Sequence, residues 1–403
     1  MIPRLKPFLG REELFAALNP SRDAVPQFEA SFARKFDVSA AIAFSYGRSA
    51  LRAFFDAVGV KDSEVIVPAY TCSVVAHAVV LSGNVPRFVD SNLDDYNMSL
   101  DAVARAINAK TRAILATHLF GYPLDVDRLE AIVADAEARF GQKIWIIQDC
   151  AHSFGARWNG RLVSSRRDVA LYGLNVSKMI TSIFGGMLTT DDTDLAARIR
   201  DARARLQTPP AFGRSLLRRA YLFAARAAFS DGVYGIVKWL NDNTPALDRL
   251  TRAYHQDEKI HFPPDASAPM LAVEAAVGLV QLAKYDTIIA RRKETAAFYA
   301  DALRDVANCV LPPLRDGATY SHYTIRVPDR DAVVAAATRK GVELGTVIDY
   351  SVPHLRPYAP YTNDEEFPNA LLCSRSAINL PVHADLTDAQ RHHVVETFKN
   401  AVS

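Results

Sequence analysis

The chain has 403 residues, 49% of them hydrophobic and 23% charged, with a formal charge of +2. That length is more than one core comfortably fills, so two lobes are expected. The near-neutral charge gives no general reason to expect nucleic-acid binding.

The N-terminus, MIPRLKPFLGREEL, lacks the continuous apolar core of a signal peptide, and nowhere do eighteen uncharged apolar residues run together. A soluble cytoplasmic protein is the expectation. Phe28, Phe32 and Phe36 fall at i, i+4 and i+8, which puts three rings on one face of a short helix docked on a core. A strand over 40–44, a turn over 45–48 and a helix over 49–58 follow. Gly47 at that junction frees the amides of a helix N-terminus, a natural seat for phosphate; taken alone, an ordinary strand-turn-helix is the simpler reading. A strand over 64–67 is capped by Pro68, and a helix starts near Tyr70. Strands over 87–89, 113–116 and 144–147 alternate with helices over 100–107 and 126–140, the latter started by Asp127 with Glu130 as a capping pair. Such alternation means an α/β fold with a mainly parallel sheet covered on both faces. The fingerprint GxGxxG is absent, which argues against a nicotinamide dehydrogenase. Cys72, Cys150, Cys309 and Cys373 lack CxxC spacing, so neither a zinc site nor a disulfide framework is indicated; Cys150 and Cys373 read as small core residues.

The apolar run 144–147 leads into Asp149, placing a carboxylate at the C-terminal edge of a strand, where open α/β sheets bind ligands. Lys178 comes after a second strand-like run, 169–171, and before the pair Gly185-Gly186, which lets backbone approach closely. A lysine and a carboxylate at neighbouring strand ends are the two protein groups that pyridoxal 5'-phosphate (PLP) chemistry requires: an amine to hold the cofactor's aldehyde and an acid partner for its pyridine nitrogen.

The order FxxxFA (28–33), GxSAL (47–51), EVIVPAYT (64–71), RFVD (87–90), HLFG (118–121), QDCAHSFGA (148–156), SK and GGM resembles the DegT/DnrJ/EryC1/StrS family of PLP-dependent sugar aminotransferases, from about Pro7 to Val402. The resemblance implies a fold-type I PLP-dependent transferase. Its large PLP-binding domain would span 1–285, with a helical insertion at about 206–260, and a smaller α+β C-terminal domain would span 286–403. It implies Lys178 as the catalytic lysine and Asp149 as the partner of the pyridine nitrogen, with His152 near the cofactor's phenolic oxygen and Asn175 also in the cofactor set. His118 and His77 have weaker claims.

Several positions depart from the family pattern. Arg48 with Ser49 stands where a Gly-Thr step is common, Gly173 where a hydroxyl usually meets the phosphate, and Ser267 nearest the usual partner-subunit Asn. Cys72 replaces an aromatic ring over the cofactor, leaving Tyr70, another residue or a smaller apolar side chain to cover it. Gly47, Arg48, Ser49, Cys72, Gly173 and Ser267 are therefore read as cofactor-binding, with Arg48 taking over part of the phosphate anchoring. In the C-terminal segments VPHLRPY and NLPVH, His354 and Arg356 either face substrate or lie on the surface.

The implied activity is transfer of an amino group, with glutamate as donor, to a nucleotide-linked keto sugar by a homodimer. Alternatives are a PLP-dependent sugar dehydratase, against which Lys178 argues because the resembling dehydratases carry histidine there, and a non-catalytic sensor or assembly protein. Within the insertion, Leu217, Ala220, Tyr221, Ala224 and Ala228 keep helical spacing, with Arg214, Arg218, Arg219 and Arg226 beside them. Contact of 214–226 with an anionic membrane surface is one reading. Packing on the helix's own domain or on a partner subunit is preferred, because alanine dominates the apolar side and gives little insertion energy.

Overall fold

The computed structural model describes residues 1–230, 232–244, 259–362 and 365–403. Its strands run β1 (Ala40–Phe44), β2 (Glu64–Pro68), β3 (Val85–Val89), β4 (Thr111–Thr117), β5 (Trp145–Asp149), a short hairpin of β6 (Arg157–Trp158) and β7 (Arg161–Leu162), β8 (Val169–Gly173), β9 (Gly186–Thr190), β10 (Tyr323–Arg326) and β11 (Ala377–Leu380). Seven of them form one sheet in the order β1-β9-β8-β5-β4-β2-β3. Pairing is parallel from β3 through β8, and β9 alone runs antiparallel to its neighbours β8 and β1. The sheet is thus mainly parallel, as the alternating pattern requires. β9 carries no periodic signature of a strand, because Gly186–Thr190 shows no polar-apolar alternation and is buried throughout.

The helices are α1 (Arg11–Leu18), α2 (Ala24–Lys35), α3 (Gly47–Val58), α4 (Ser73–Leu81), α5 (Leu100–Ala106), α6 (Val126–Phe140), α7 (Thr193–Leu206), α8 (Arg214–Ala228), α9 (Tyr234–Asn243), α10 (Ala272–Ala302), α11 (Arg330–Arg339), α12 (Pro368–Ser376) and α13 (Asp388–Val402). Phe28, Phe32 and Phe36 are buried as their spacing predicts; Phe28 meets Phe32, and Phe32 and Phe36 pack on Phe154 and Tyr172, with Phe32 4.9 Å from the Tyr172 ring. Burial of each ring contributes roughly 1.5–3 kcal/mol. Because Tyr172 lies on β8, this cluster fixes the strand that leads to Lys178. Cys150 and Cys373 are buried. Among the described residues, no helix is long and apolar enough to cross a membrane.

One local expectation is corrected. The cap of α6 is Asp125, whose carboxylate accepts from the Arg128 amide, 3.0 Å. Asp127 and Glu130 instead clasp the buried Arg166 at 2.7 Å each, because a desolvated guanidinium needs carboxylates more than an exposed helix end does. Helix α10 runs unbroken from Ala272 to Ala302. No proline interrupts it, and Tyr285 lies within it. β10 and β11 pair antiparallel as a separate two-stranded sheet, with α11 packed on β11 and α13 packed on α11.

Candidate active site

The parallel strands deliver their C-terminal ends to one cleft. In register, Thr117 of β4 and Leu171 of β8 flank Asp149 of β5. The Asp149 carboxylate is 2% exposed and accepts from the Ala151 amide, 3.0 Å, and the Thr117 hydroxyl, 3.3 Å. Burial raises its pKa above the ordinary carboxylate value, opposed by the Ala151 amide, the Lys178 charge and the Thr117 hydroxyl. Lys178 sits on the loop between β8 and β9. There Asn175 Oδ1 accepts from the Ser177 amide and hydroxyl, and the Lys178 amide donates to the Asn175 carbonyl, so an Asx turn aims the lysine. Desolvation lowers the amine's pKa below 10.5, with Cys72 and Asp149 acting the other way.

The cleft, about 840 Å³ with its open mouth included, is lined by Gly47, Arg48, Cys72, Asp149, His152, Gly173, Asn175 and Lys178, together with Thr71, Val75, Thr117 and Leu171. Eight of the ten residues expected at the cofactor therefore share one cavity. Ser49 and Ser267 line the adjoining one instead, and the Ser49 hydroxyl is spent on the Ala266 carbonyl, 2.7 Å. His354 and Arg356 are exposed and do not line the cleft. Tyr70 is committed to the core, its hydroxyl donating to the Ile348 carbonyl at 3.2 Å. Cys72, Val75 and Leu171 leave the cleft with small apolar walls where an aromatic cover was one expectation.

The N-terminus of α3 also opens here, directed by a close approach. A Cβ on Gly186 would lie 2.4 Å from the Gly47 nitrogen, so only glycine lets β9 back against the turn. Arg218 of α8 braces the same turn: it donates to the Tyr46 hydroxyl (3.0 Å), Asp265 (2.6 Å) and Glu274 (2.8 Å), and stacks on the Phe184 ring at 4.0 Å.

The partners of His118 define a structural role. Nδ1 accepts from the Leu124 amide, 2.9 Å, and Nε2 faces Gln148 Oε1 at 3.0 Å, which fixes a neutral ring. Burial pulls its pKa down to about 4, and that of the buried His77 likewise to about 4. Both rings bind protons more readily when unfolded. Their contribution is complete above the unfolded value near 6.5 and is lost as pH falls toward 4, on the order of 3 kcal/mol per ring. A melting series from pH 7 to 4.5 is expected to show falling stability that His118→Gln flattens; an unchanged slope in that variant would contradict the assignment.

Sequence reading missed His322 and Phe120. Phe120 adopts φ +56°, and Gly121 follows at φ +95°. Their carbonyls accept from the His322 and Thr319 amides, so the HLFG motif clamps the C-terminal segment to the site. His322 is thereby placed 4.9 Å from the His152 ring, and Phe120 stacks on His152 at 6.0 Å and 16°. His152 Nδ1 is buried with no hydrogen-bond partner among the described residues. The positive φ of Phe120, a strained conformation for an aromatic residue, leaves no trace in the sequence.

A half-buried amine, a buried carboxylate at a strand end, an unpartnered imidazole nitrogen and a helix N-terminus around one cleft suit an aldehyde-bearing pyridine phosphate. Fold and donor set together define a fold-type I PLP-dependent enzyme. The model of the DegT/DnrJ/EryC1/StrS aminotransferase family matches residues 20–214 and 249–399, and the chain belongs to that family, whose aminotransferases use PLP. It is 27% identical to GDP-perosamine synthase of Caulobacter vibrioides over 92% of this chain and 88% of that protein. It is 28% identical to dTDP-4-dehydro-2,3,6-trideoxy-D-glucose 4-aminotransferase of Saccharopolyspora spinosa over 100% and 97%. The sugar aminotransferase CalS13 of Micromonospora echinospora shares the fold, with a TM-score of 0.78 at 24% identity over 99% of this chain and 100% of that one.

Proposed function

We propose that the protein moves an amino group from an amino acid, glutamate, onto the ketone of a sugar carried by a nucleotide, working as a homodimer. The observation that carries this reading is the convergence of Lys178 and Asp149 on one cleft at the ends of β8 and β5. Both relatives named above act on nucleotide-linked sugars by their names. When bound, PLP supplies an aldehyde for amine exchange and a ring that takes up an electron pair.

Lys178 would hold the cofactor, and Asp149 would keep the ring nitrogen protonated. Whenever it is not holding the cofactor, Lys178 Nζ would be a free base. Its lowered pKa brings it nearer the working pH, so it can accept the proton from the donor's Cα. In the second half the same Nζ delivers a proton to the sugar carbon that bore the ketone. His152, neutral because burial and the Lys178 charge hold its pKa well below 6.5, offers a hydrogen bond without adding charge. Incubation of the loaded enzyme with glutamate and a panel of nucleotide-linked keto sugars tests the reading: an amino sugar and 2-oxoglutarate in equal amounts support it, and a deoxygenated sugar without amine transfer would replace it with the dehydratase.

The phosphate would sit at the amides of α3 beside Arg48, whose guanidinium lines the cleft 5.5 Å from the Tyr46 ring centre. With glycine at 173 and the Ser49 hydroxyl engaged elsewhere, an arginine fork supplies the paired charge-assisted bonds that phosphate favours. A hydrogen bond to a charged group contributes about 1.5–3 kcal/mol, so Arg48→Ala is expected to weaken PLP binding by roughly 10- to 100-fold, with lysine intermediate. Titration of the apo proteins checks this. Equal dissociation constants, with only the Michaelis constant for donor or sugar changed, would assign Arg48 to substrate instead.

A further inference from the structure

Helix α8 is built inside out. Arg214, Arg218 and Leu222 are its buried residues, the two guanidinium groups paired with Asp265 and Glu274. Leu216, Ala220, Phe223 and Ala227, at i, i+4, i+7 and i+11, form an exposed stripe, the reverse of an ordinary surface helix. Leu216 is 67% and Leu217 69% exposed; on α9, Ile236 is 61% and Trp239 60% exposed, with Leu240 beside them. Among the described residues, nine of the sixteen exposed large apolar side chains lie between Phe212 and Leu240. The helix packs on its own domain through its arginines, and the outward stripe carries leucine and phenylalanine beside alanine.

Charge selects the occupant. From Ala202 to Ser230 the sequence holds six arginines and no carboxylate, and from Asp231 to Asn243 it adds Lys238, Asp231 and Asp242, so the arginine excess lies on α8. Arg203, Arg205, Arg214 and Arg218 are paired to acids elsewhere in the chain. Arg219 donates to a neutral group, the Ala17 carbonyl, at 2.8 Å, and Arg226 is exposed seven residues on, along the same edge of the stripe. A second copy meeting this face across a two-fold axis would set arginine against arginine with no acid on α8 to accept them. An anionic lipid surface supplies the missing acid, and tryptophan, phenylalanine and leucine are the side chains that settle at a bilayer interface. The family match breaks across both helices, between residues 214 and 249, so the aminotransferase fold does not itself require them.

We propose that α8 and α9 seat the protein on an anionic membrane surface, lying in the interface without crossing it. The holoenzyme is tested by co-sedimentation with vesicles of equal parts phosphatidylglycerol and phosphatidylcholine, alongside light scattering for mass. Wild type is expected to pellet at low salt and to lose at least about tenfold in affinity at high salt. Leu216→Ser with Trp239→Ser should cost about tenfold or more with mass, melting temperature and turnover unchanged, and Arg226→Glu should weaken binding to the charged vesicles while leaving pure phosphatidylcholine unaffected. Wild type that stays in the supernatant at low salt, or serine variants that bind as wild type does, would overturn the proposal. So would serine variants that fall to a smaller mass, which would make the stripe a contact between copies.

Discussion

Lys178→Ala is expected to abolish turnover, by at least about 10⁴-fold, in a protein that still folds. One substitution removes both the amine that would hold the cofactor and the base that would move the proton at the donor's Cα and at the sugar carbon. The fold is expected to survive because the loop does not depend on the side chain. Its frame is the Lys178 amide on the Asn175 carbonyl, the Leu174 amide on the Gly185 carbonyl, and the Thr181 hydroxyl on the Leu174 carbonyl at 3.1 Å. Removing a desolvated amine also relieves the burial that lowers its pKa. Steady-state turnover beside a melting curve checks this, and a folded alanine variant that still aminates a keto sugar would remove Lys178 from the mechanism.

Asp149→Asn is expected to reduce kcat by about 10²- to 10³-fold, the usual cost of deleting one preorganised charge from a water-poor site. The amide is nearly isosteric and can still accept from the Ala151 amide, so the end of β5 keeps its shape. What disappears is the negative charge that would hold the ring nitrogen protonated. In the wild type, burial raises this carboxyl's pKa. Activity therefore depends on the ionised form and falls as pH drops through that raised value; the asparagine variant lacks this limb of the profile. A variant within about twofold of wild type, with the same acid limb, would contradict the role.

The strand ends were legible because buried parallel strands are short apolar runs that stop at a polar residue: Ile146 and Ile147 before Asp149, and Val169 to Leu171 ahead of Lys178. The turn at Gly47 was legible because glycine at a strand-helix junction has few other uses. What escaped depends on contacts between segments distant in sequence. His322 meets His152 only because Phe120 and Gly121 hold the C-terminal segment by backbone bonds, which carry no side-chain signature. Asp127 and Glu130 satisfy a local capping pattern, yet a buried arginine some forty residues on claims them. For the insertion, helical spacing was legible, but periodicity says which residues share a side and not which side meets the protein. Arg214 and Arg218 turned inward because Asp265, Glu274 and Tyr46 wait there.

The central claim, amino transfer through a lysine-held cofactor, is tested most directly by the absorption spectrum of the PLP-loaded protein titrated with glutamate in the absence of sugar. The account predicts that the visible band of the lysine-bound cofactor gives way to the spectrum of the aminated cofactor, with a stoichiometric yield of 2-oxoglutarate, and that Lys178→Ala shows no such conversion. A loaded wild-type protein whose spectrum is unchanged by glutamate and by every other proteinogenic amino acid would contradict it.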